Sequence, residues 1–495
     1  MKNLKWKKAG SAVLATALAG SMVLPATAYA QGEIVQLEGG TSTQTNTAPE
    51  QVFLNKYSGT VRTQNFNDNW KFYLGDASGA QTPAFDDSSW DQVNLPHDYS
   101  IDQKYNRSMD GESGYLPGGT GWYRKSFTVD KSLEGKRISI DFGGVYMNAT
   151  IYVNGKKLGT HPYGYTPFSF DITDNVKFGK ENVIAVKVDH QTPSSRFYSG
   201  SGIYRDVDFV VTDTVHVDKN GTKIETPDLK EHVDGNNVAV KVKTTVVNES
   251  ERDASVKVKH TIYPKNETAE QAVATFESQE AVAVEKGKSK DVSADFTASG
   301  VQLWSTTTPN LYTVKTEVLM DGATVDTYET DYGFRYFAFD KNNGFTLNGQ
   351  KMKLQGVCMH HDQGALGSVA NDRSTERQVE ILKMMGCNSI RVTHNPASDE
   401  LIDACNKHGI LVIDEAFDGW VAPKNGNSND YAKWFNKEIE SDNEIMGAAD
   451  NMTWAQFDLT AMIERGQNDP AIIMWSLGNE MWEGTGGYSA AYKTA

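Results

Sequence analysis

A chain of 495 residues has room for roughly three or four domains. With 39% hydrophobic and 23% charged residues it can build cores in them, which excludes a disordered protein. A formal charge of −16 argues against nucleic acid or an anionic membrane as partner, because both attract basic surfaces.

The first segment, MKNLKWKKAG, carries four lysines, and a short apolar run and the small-residue stretch ATAYA follow it. That is the pattern of a secretory signal peptide cleaved after Ala30, so a secreted or cell-surface protein is expected. The apolar run is too short to be a comfortable membrane span, and no later stretch reaches ~20 apolar residues. Residues 31–56 are polar and rich in Gly and Thr, and are predicted to form a flexible leader.

From 57 to 215 the chain shows short alternating strands such as KRISIDFGGV, NATIYVNGKKLGT, FSFDI and NVIAVKV, broken by Gly, Pro and Asn. The Asn-Gly in NGKKLG predicts a hairpin, and the whole stretch a β-sandwich. Residues 216–338 repeat the theme with longer strands, NNVAVKVKTTVVNE, ASVKVKHTIYP and LYTVKTEVLM, which predicts a second sandwich of immunoglobulin-like size.

After about Phe339 the rhythm changes. KMKLQGVC, NSIRVT, ILVIDE and AIIMW read as strands; RSTERQVEILKMMG, SDELIDACNKHG and TWAQFDLTAMIERGQN read as helices between them. The first helix is predicted to turn Ile381, Leu382 and Met385 to one side, and the second to run from a Ser398 cap to a stop at Gly409. Nearly all-apolar strands alternating with helices mean parallel strands buried on both faces. A (β/α)8 TIM barrel is the leading architecture and a doubly wound sheet the alternative. The stretch 339–495 is shorter than the ~250 residues of a whole barrel, so only its first half is expected here, with GTGGYSAAYKTA entering a fourth helix.

The three cysteines, Cys358, Cys387 and Cys405, are an odd number and all lie in this last part. They are read as buried, inert thiols; neither a disulfide framework nor a structural zinc site is expected.

In a barrel the C-terminal strand ends face the site. Those ends carry His360, His361 and Asp362; Arg391, His394 and Asn395; Asp414 and Glu415; and Asn479 and Glu480. His361 and Asp362 can equally cap a loop. Arg391 is expected to pair with Asp414 or Glu415, because a charge inside a barrel needs a partner. No H-E-x-x-H, G-x-S-x-G or G-x-x-x-x-G-K-[ST] pattern occurs, so neither a catalytic metal, a serine nucleophile nor a phosphate loop is expected, and Ser476 is read as part of the strand.

WSLGNE at 475–480 resembles the acid/base motif of glycoside hydrolase family 2, above all its β-galactosidases. NWKFYLGD, NLPHDYSI, GTGWYRKSF and SGSGIYRDV resemble that family's sugar-binding jelly roll. LWSTTTPNLYTV with YGFR resembles its immunoglobulin-like domain, and GVCMHH, RVTHNP and IDEAFDGW its first barrel strands. The resemblance implies a retaining hydrolase that releases a terminal β-linked sugar, usually galactose, from an oligosaccharide or glycan. It implies that Glu480 is the acid/base, that Asn479 bonds the sugar 2-hydroxyl, and that His394, His360, Asp98 and Arg196 line the sugar pocket. The family's nucleophilic Glu lies on the seventh strand, so it is expected downstream of Ala495, and this chain by itself is expected not to hydrolyse glycosides. Magnesium-dependent members carry an acidic residue and a His shortly after the Asp-Glu of strand three. Here DEAFDGWVAP offers only Asp418, so no metal or other cofactor is expected. β-Glucuronidases and other β-glycosidases share the scaffold and remain the alternative within the class. A non-catalytic carbohydrate-binding surface protein is the alternative outside it.

Overall fold

The computed structural model describes residues 52–53 and 61–481. The predicted signal peptide, nearly all of the predicted leader and the GTGGYSAAYKTA segment lie outside the described residues. The exception in the leader is Val52–Phe53, a short strand pairing in parallel with Thr128 and Val129.

The first domain is a jelly roll. Its larger sheet has seven strands, with Gly119–Val129 and Glu181–His190 at the centre, and it faces a sheet of four strands that includes Arg137–Phe142 and Val207–Thr212. Alternation drives it: in Arg137–Phe142 the side chains of Ile138, Ile140 and Phe142 are buried while Arg137, Ser139 and Asp141 lie half out. The predicted Asn-Gly turn joins Ala149–Val153 to Lys156–His161, with φ of 50° at Asn154 and 88° at Gly155. The second domain includes the strand Val215–Glu225, which pairs with Val238–Asn248. It packs a sheet of three strands and a sheet of five around Val240, Val242, Ile262 and Val314.

The barrel part has four parallel strands in chain order: β1 (Gly356–Met359), β2 (Ser389–Val392), β3 (Leu411–Glu415) and β4 (Ile472–Ser476). Helices α1 (Asp372–Met384), α2 (Asp399–His408) and α3 (Trp454–Gly466) connect them. Caps set the helix limits. The Ser398 side chain accepts from Leu401 N and Gly409 stops α2 at φ 68°, while Thr453 and Gln456 form a capping box on α3.

Three expectations need correction. KMKLQGVC is not one strand: Lys351 belongs to a hairpin of Gly344–Leu347 with Gln350–Lys351, turned by Asn348 and Gly349 at φ 50° and 75°. That Asn-Gly was the local signal for it. Phe345 and Leu347 of the hairpin join Ile390, Val412 and Ile472 in the barrel core. On α1 the buried stripe is Thr375 and Val379, with Leu382 partly buried; Met385 sits at the C-cap, beyond the last full turn, and is 71% exposed. Of the cysteines only Cys405 is buried; Cys358, on a strand with one neighbour among the described residues, is exposed.

The jelly-roll core does not stop at the domain edge. Phe168, Phe170 and Tyr163 share one buried cluster with Phe417, Tyr431 and Phe435 of the loop after β3, and with Trp454, Phe457 and Met462 of α3. Inside it the Asp458 carboxylate, fully buried, bonds His161 Nε2 at 2.9 Å and the hydroxyls of Thr166 and Tyr431. Arg205, 2% exposed, donates to the carbonyls of Tyr165, Pro396 and Ala397.

Burial also leaves several carboxyl groups poorly placed, Glu400 among them. Glu400, in the first turn of α2, is 9% exposed, and burial together with neighbouring Asp399 pushes it up to about 7. An unfolded Glu titrates near ~4.3, so between these values the folded state holds a proton that the unfolded state does not, and stability falls as pH rises through that window. Glu400→Gln is therefore expected to stabilise the protein at pH ~8, by on the order of 1–3 kcal/mol, and to change little at pH ~4. Urea midpoints at the two pH values check this.

Candidate active site

The ends of the four strands meet at one mouth, and adjacent residues on β3 take opposite roles. Asp414 points into the protein, fully buried, where Arg465 Nη2 of α3 donates to it at 2.8 Å and Ala397 N at 2.9 Å. Burial still raises this carboxyl against the pull of Arg465.

Glu415 points to the mouth side and pairs with Arg391, as the pairing argument allowed. Its Oε2 accepts from Arg391 Nη2 and Ser476 Oγ, each at 2.7 Å, and its Oε1 from His394 Nδ1 at 2.7 Å. Burial would raise the Glu415 carboxyl, but the bonds from His394, Ser476 and Arg391 together hold it below the usual carboxylate value. An ionised carboxylate only accepts, so His394 donates to it from Nδ1. The His360 ring stands perpendicular to His394 at 5.4 Å and packs on Phe197 at 4.5 Å. Burial first, and His394 second, keep His360 neutral by lowering its pKa. His361 turns away: Nε2 donates to the Ser199 carbonyl at 3.2 Å, and burial pushes it down to about 3.

The loop after β3 builds the seat for the end of β4. Asn479 N donates to the Phe417 carbonyl at 2.9 Å, Trp420 Nε1 to the Leu477 carbonyl at 3.1 Å, and Lys424 Nζ to the carbonyls of both Asn479 and Glu480 at 3.0 Å. Gly478 lies so close under this loop that a Cβ there would meet the Phe417 carbonyl and Trp420 Nε1 at 2.9 Å, which explains the Gly in WSLGNE. Asn479 is 7% exposed, its Oδ1 accepting from Arg391 at 3.1 Å and its Nδ2 donating to Asp418 at 3.2 Å. Glu480 has φ 47°, a sparsely populated conformation for a side chain of that size, and its side chain is 68% exposed. It lies 3.1 Å from Arg196 and 3.8 Å from Lys424.

Arg196 reaches the mouth from the jelly-roll loop. Its Nε donates to Asp418 Oδ2 at 2.9 Å and its Nη2 to Asp418 Oδ1 at 2.9 Å, in addition to the Glu480 contact. Sequence reasoning treated Asp418 only as an insufficient metal ligand; its partner lies 222 residues away, so no local pattern could have revealed it. The guanidinium lies between Asp418 and Glu480. A triad of Glu376, Glu380 and His408 on α1 and α2 has ligand atoms within 4.8 Å of one another, but Lys407 and Arg373 already hold Glu376 at 2.6 and 2.9 Å.

Asp98 was expected to line the sugar pocket. It is 1% exposed rather than open to a sugar pocket. Oδ1 accepts from the backbone of Ser100 and Ser201, and Oδ2 from Tyr198 Oη, Ser368 N and Ser368 Oγ. It is a strut that ties the jelly roll to the loop after β1. The mouth thus gathers Glu480, Asn479, His394, His360 and Arg196, and leaves Asp98 beneath it.

Comparison with known proteins agrees with this arrangement. Residues 63–213 match the model of the sugar binding domain of glycosyl hydrolases family 2, residues 222–335 the family's second domain model, and residues 340–495 its TIM barrel domain. A relative, the beta-galactosidase BoGH2A of Bacteroides ovatus, is 41% identical over 84% of this chain and 46% of its own length. The solved structure of a family 2 member from Bacteroides cellulosilyticus superposes with a TM-score of 0.77 at 38% identity, over 86% of this chain and 52% of that one. That of a beta-glucuronidase from Bacteroides uniformis gives 0.70 at 30% identity, over 85% and 47%. The chain spans about half the length of the curated relatives it matches. Three domain models of one family, in the order of the three domains seen here, establish that the chain belongs to glycoside hydrolase family 2.

Proposed function

We propose that this chain supplies the sugar subsite and the acid/base half of a retaining exo-β-glycosidase that releases terminal galactose. The observation that carries the reading is the tip of β4: an exposed Glu480 beside an Asn479 clamped by Arg391, the same Arg391 that shares Glu415 with His394. Glu480 protonates the departing glycosidic oxygen and then, as a carboxylate, takes a proton from water. Asn479, held from both sides, bonds the 2-hydroxyl, a contact that strengthens in the transition state. Nε2 of His394 and the neutral His360 accept or donate to other hydroxyls, and Arg196 borders the same space.

The retaining route needs a second carboxylate ~5–5.5 Å from the acid. Glu415 does not serve, because both its oxygens are engaged and its side chain is fully buried. The nucleophile is assigned to residues outside those described. A neutral hexose is preferred to a uronic acid because the described cations at this mouth are already engaged: Arg391 by Glu415, Arg196 by Asp418 and Glu480, and Lys424 by the carbonyls of Asn479 and Glu480. The signal-peptide pattern of residues 1–30 supports a substrate outside the cytoplasm.

Calorimetric titration of the chain with galactose, glucose and glucuronate tests the reading. Galactose is expected to bind most tightly, and Asn479→Ala to weaken it by about tenfold through loss of one hydrogen bond. Preference for glucuronate would move the assignment to the glucuronidases, and equal binding by the variant would remove Asn479 from the subsite.

A further inference from the structure

Asp418 touches nothing that reacts, yet it holds both side chains that flank the acid. Arg196 gives it Nε and Nη2, and Asn479 gives it Nδ2. The same Arg196 Nη2 lies 2.9 Å from Asp418 Oδ1 and 3.1 Å from Glu480 Oε2, so two carboxylates share one nitrogen. We propose that Asp418 is a positioning residue that divides Arg196 between itself and Glu480, and so sets how firmly the acid holds its proton. The proposal rests on the reading of Glu480 as the acid.

The physical argument concerns competition for one cation. A guanidinium undivided beside Glu480 would favour the ionised form and make a poor acid. Asp418 is 16% exposed and takes the bidentate geometry, the stronger of the two pairings, while Glu480, 68% exposed, gets a single contact screened by water. Lys424 faces Glu480 from the loop after β3, but at 3.8 Å, with Nζ committed to two backbone carbonyls. The other ionisable groups of the mouth are accounted for: Arg391 and His394 are held by Glu415, and His360 is kept neutral. Arg196 and Asp418 are thus the pair through which the jelly roll acts on a barrel carboxylate.

The test is a carbon-13 NMR titration of the Glu480 carboxyl in the full chain, assigned by its disappearance in Glu480→Gln. Asp418→Asn is expected to lower the Glu480 midpoint by about one pH unit, a tenfold change in proton affinity. Arg196→Ala is expected to raise it, and Asp418→Asn is expected to add no shift in that background. Asp418→Glu, which keeps the charge, is expected to titrate near the wild type. An unchanged midpoint in Asp418→Asn overturns the proposal. So does an equal shift with and without Arg196, which would mean plain repulsion between the two carboxylates. If Asp418→Asn fails to fold by near-ultraviolet circular dichroism, Arg196→Lys takes its place. A single ammonium cannot keep the paired bonds and also reach Glu480, so the midpoint is expected to rise; no change overturns the proposal. Galactose binding on the same samples separates the two ideas: a shifted midpoint without sugar binding leaves the clamp standing and removes the glycosidase reading.

Discussion

Glu480→Gln is expected to slow the first chemical step on a galactoside with a sugar leaving group by 10²–10⁴-fold, about 3–5 kcal/mol, in any active preparation of this protein. A sugar alkoxide leaves badly unless it is protonated as the bond breaks, and Gln has no proton to give. A nitrophenyl galactoside, whose leaving group needs no acid, is expected to lose far less in that step. Galactose affinity is expected to stay within about threefold, because the exposed Glu480 side chain contributes little to holding the sugar before reaction. The contrast between leaving groups is the diagnostic. Equal losses for both substrates would mean that Glu480 acts on binding or on fold, and the acid assignment would fail.

Arg465→Met is expected to destabilise the protein by about 3–5 kcal/mol at neutral pH. Asp414 has no exposure, and Arg465 is the cation bonded to it, so the variant leaves a buried carboxylate with backbone N–H groups and the unbonded Arg205 as its remaining support. The folded-state pKa of Asp414 already lies above its ordinary value, and without Arg465 it rises further. A carboxyl raised in the folded state binds more protons there than in the unfolded chain, so the defect is expected to grow from pH ~5 to ~8. The double variant with Asp414→Asn is expected to lose less than the sum of the two single changes, because it removes the orphaned charge. Chemical denaturation at two pH values, on all three variants, checks each part. A loss under ~1 kcal/mol at pH 8 would show that water reaches Asp414.

The barrel was legible because its signals are local. Apolar runs ending in polar residues located β2, β3 and β4, and Ser398 and Gly409 marked the limits of α2. The missed hairpin had a local signal too, Asn348-Gly349, hidden by reading the following residues as one strand. What could not be read was pairing over long distances. Asp414 and Glu415 are neighbours, but strand alternation sends them to opposite sides, one to Arg465 and the other to Arg391. Asp98 was expected at the sugar, yet its polar neighbours Ser201 and Ser368 arrive from distant segments and close over it. Arg196 and Asp418 meet across 222 residues.

The shared core between the jelly roll and the loop after β3 has a consequence for recombination and engineering. Tyr163, Phe168 and Phe170 fill the same interior as Phe417, Trp454 and Phe457, and Asp458 is satisfied only by groups from both parts. A chimaera that exchanges residues 61–214 for a foreign sugar-binding module would inherit a barrel with an open aromatic wall and a stranded carboxylate. The two parts can therefore be swapped only as one piece, and because the immunoglobulin-like domain lies between them in the chain, a single crossover within it would separate them.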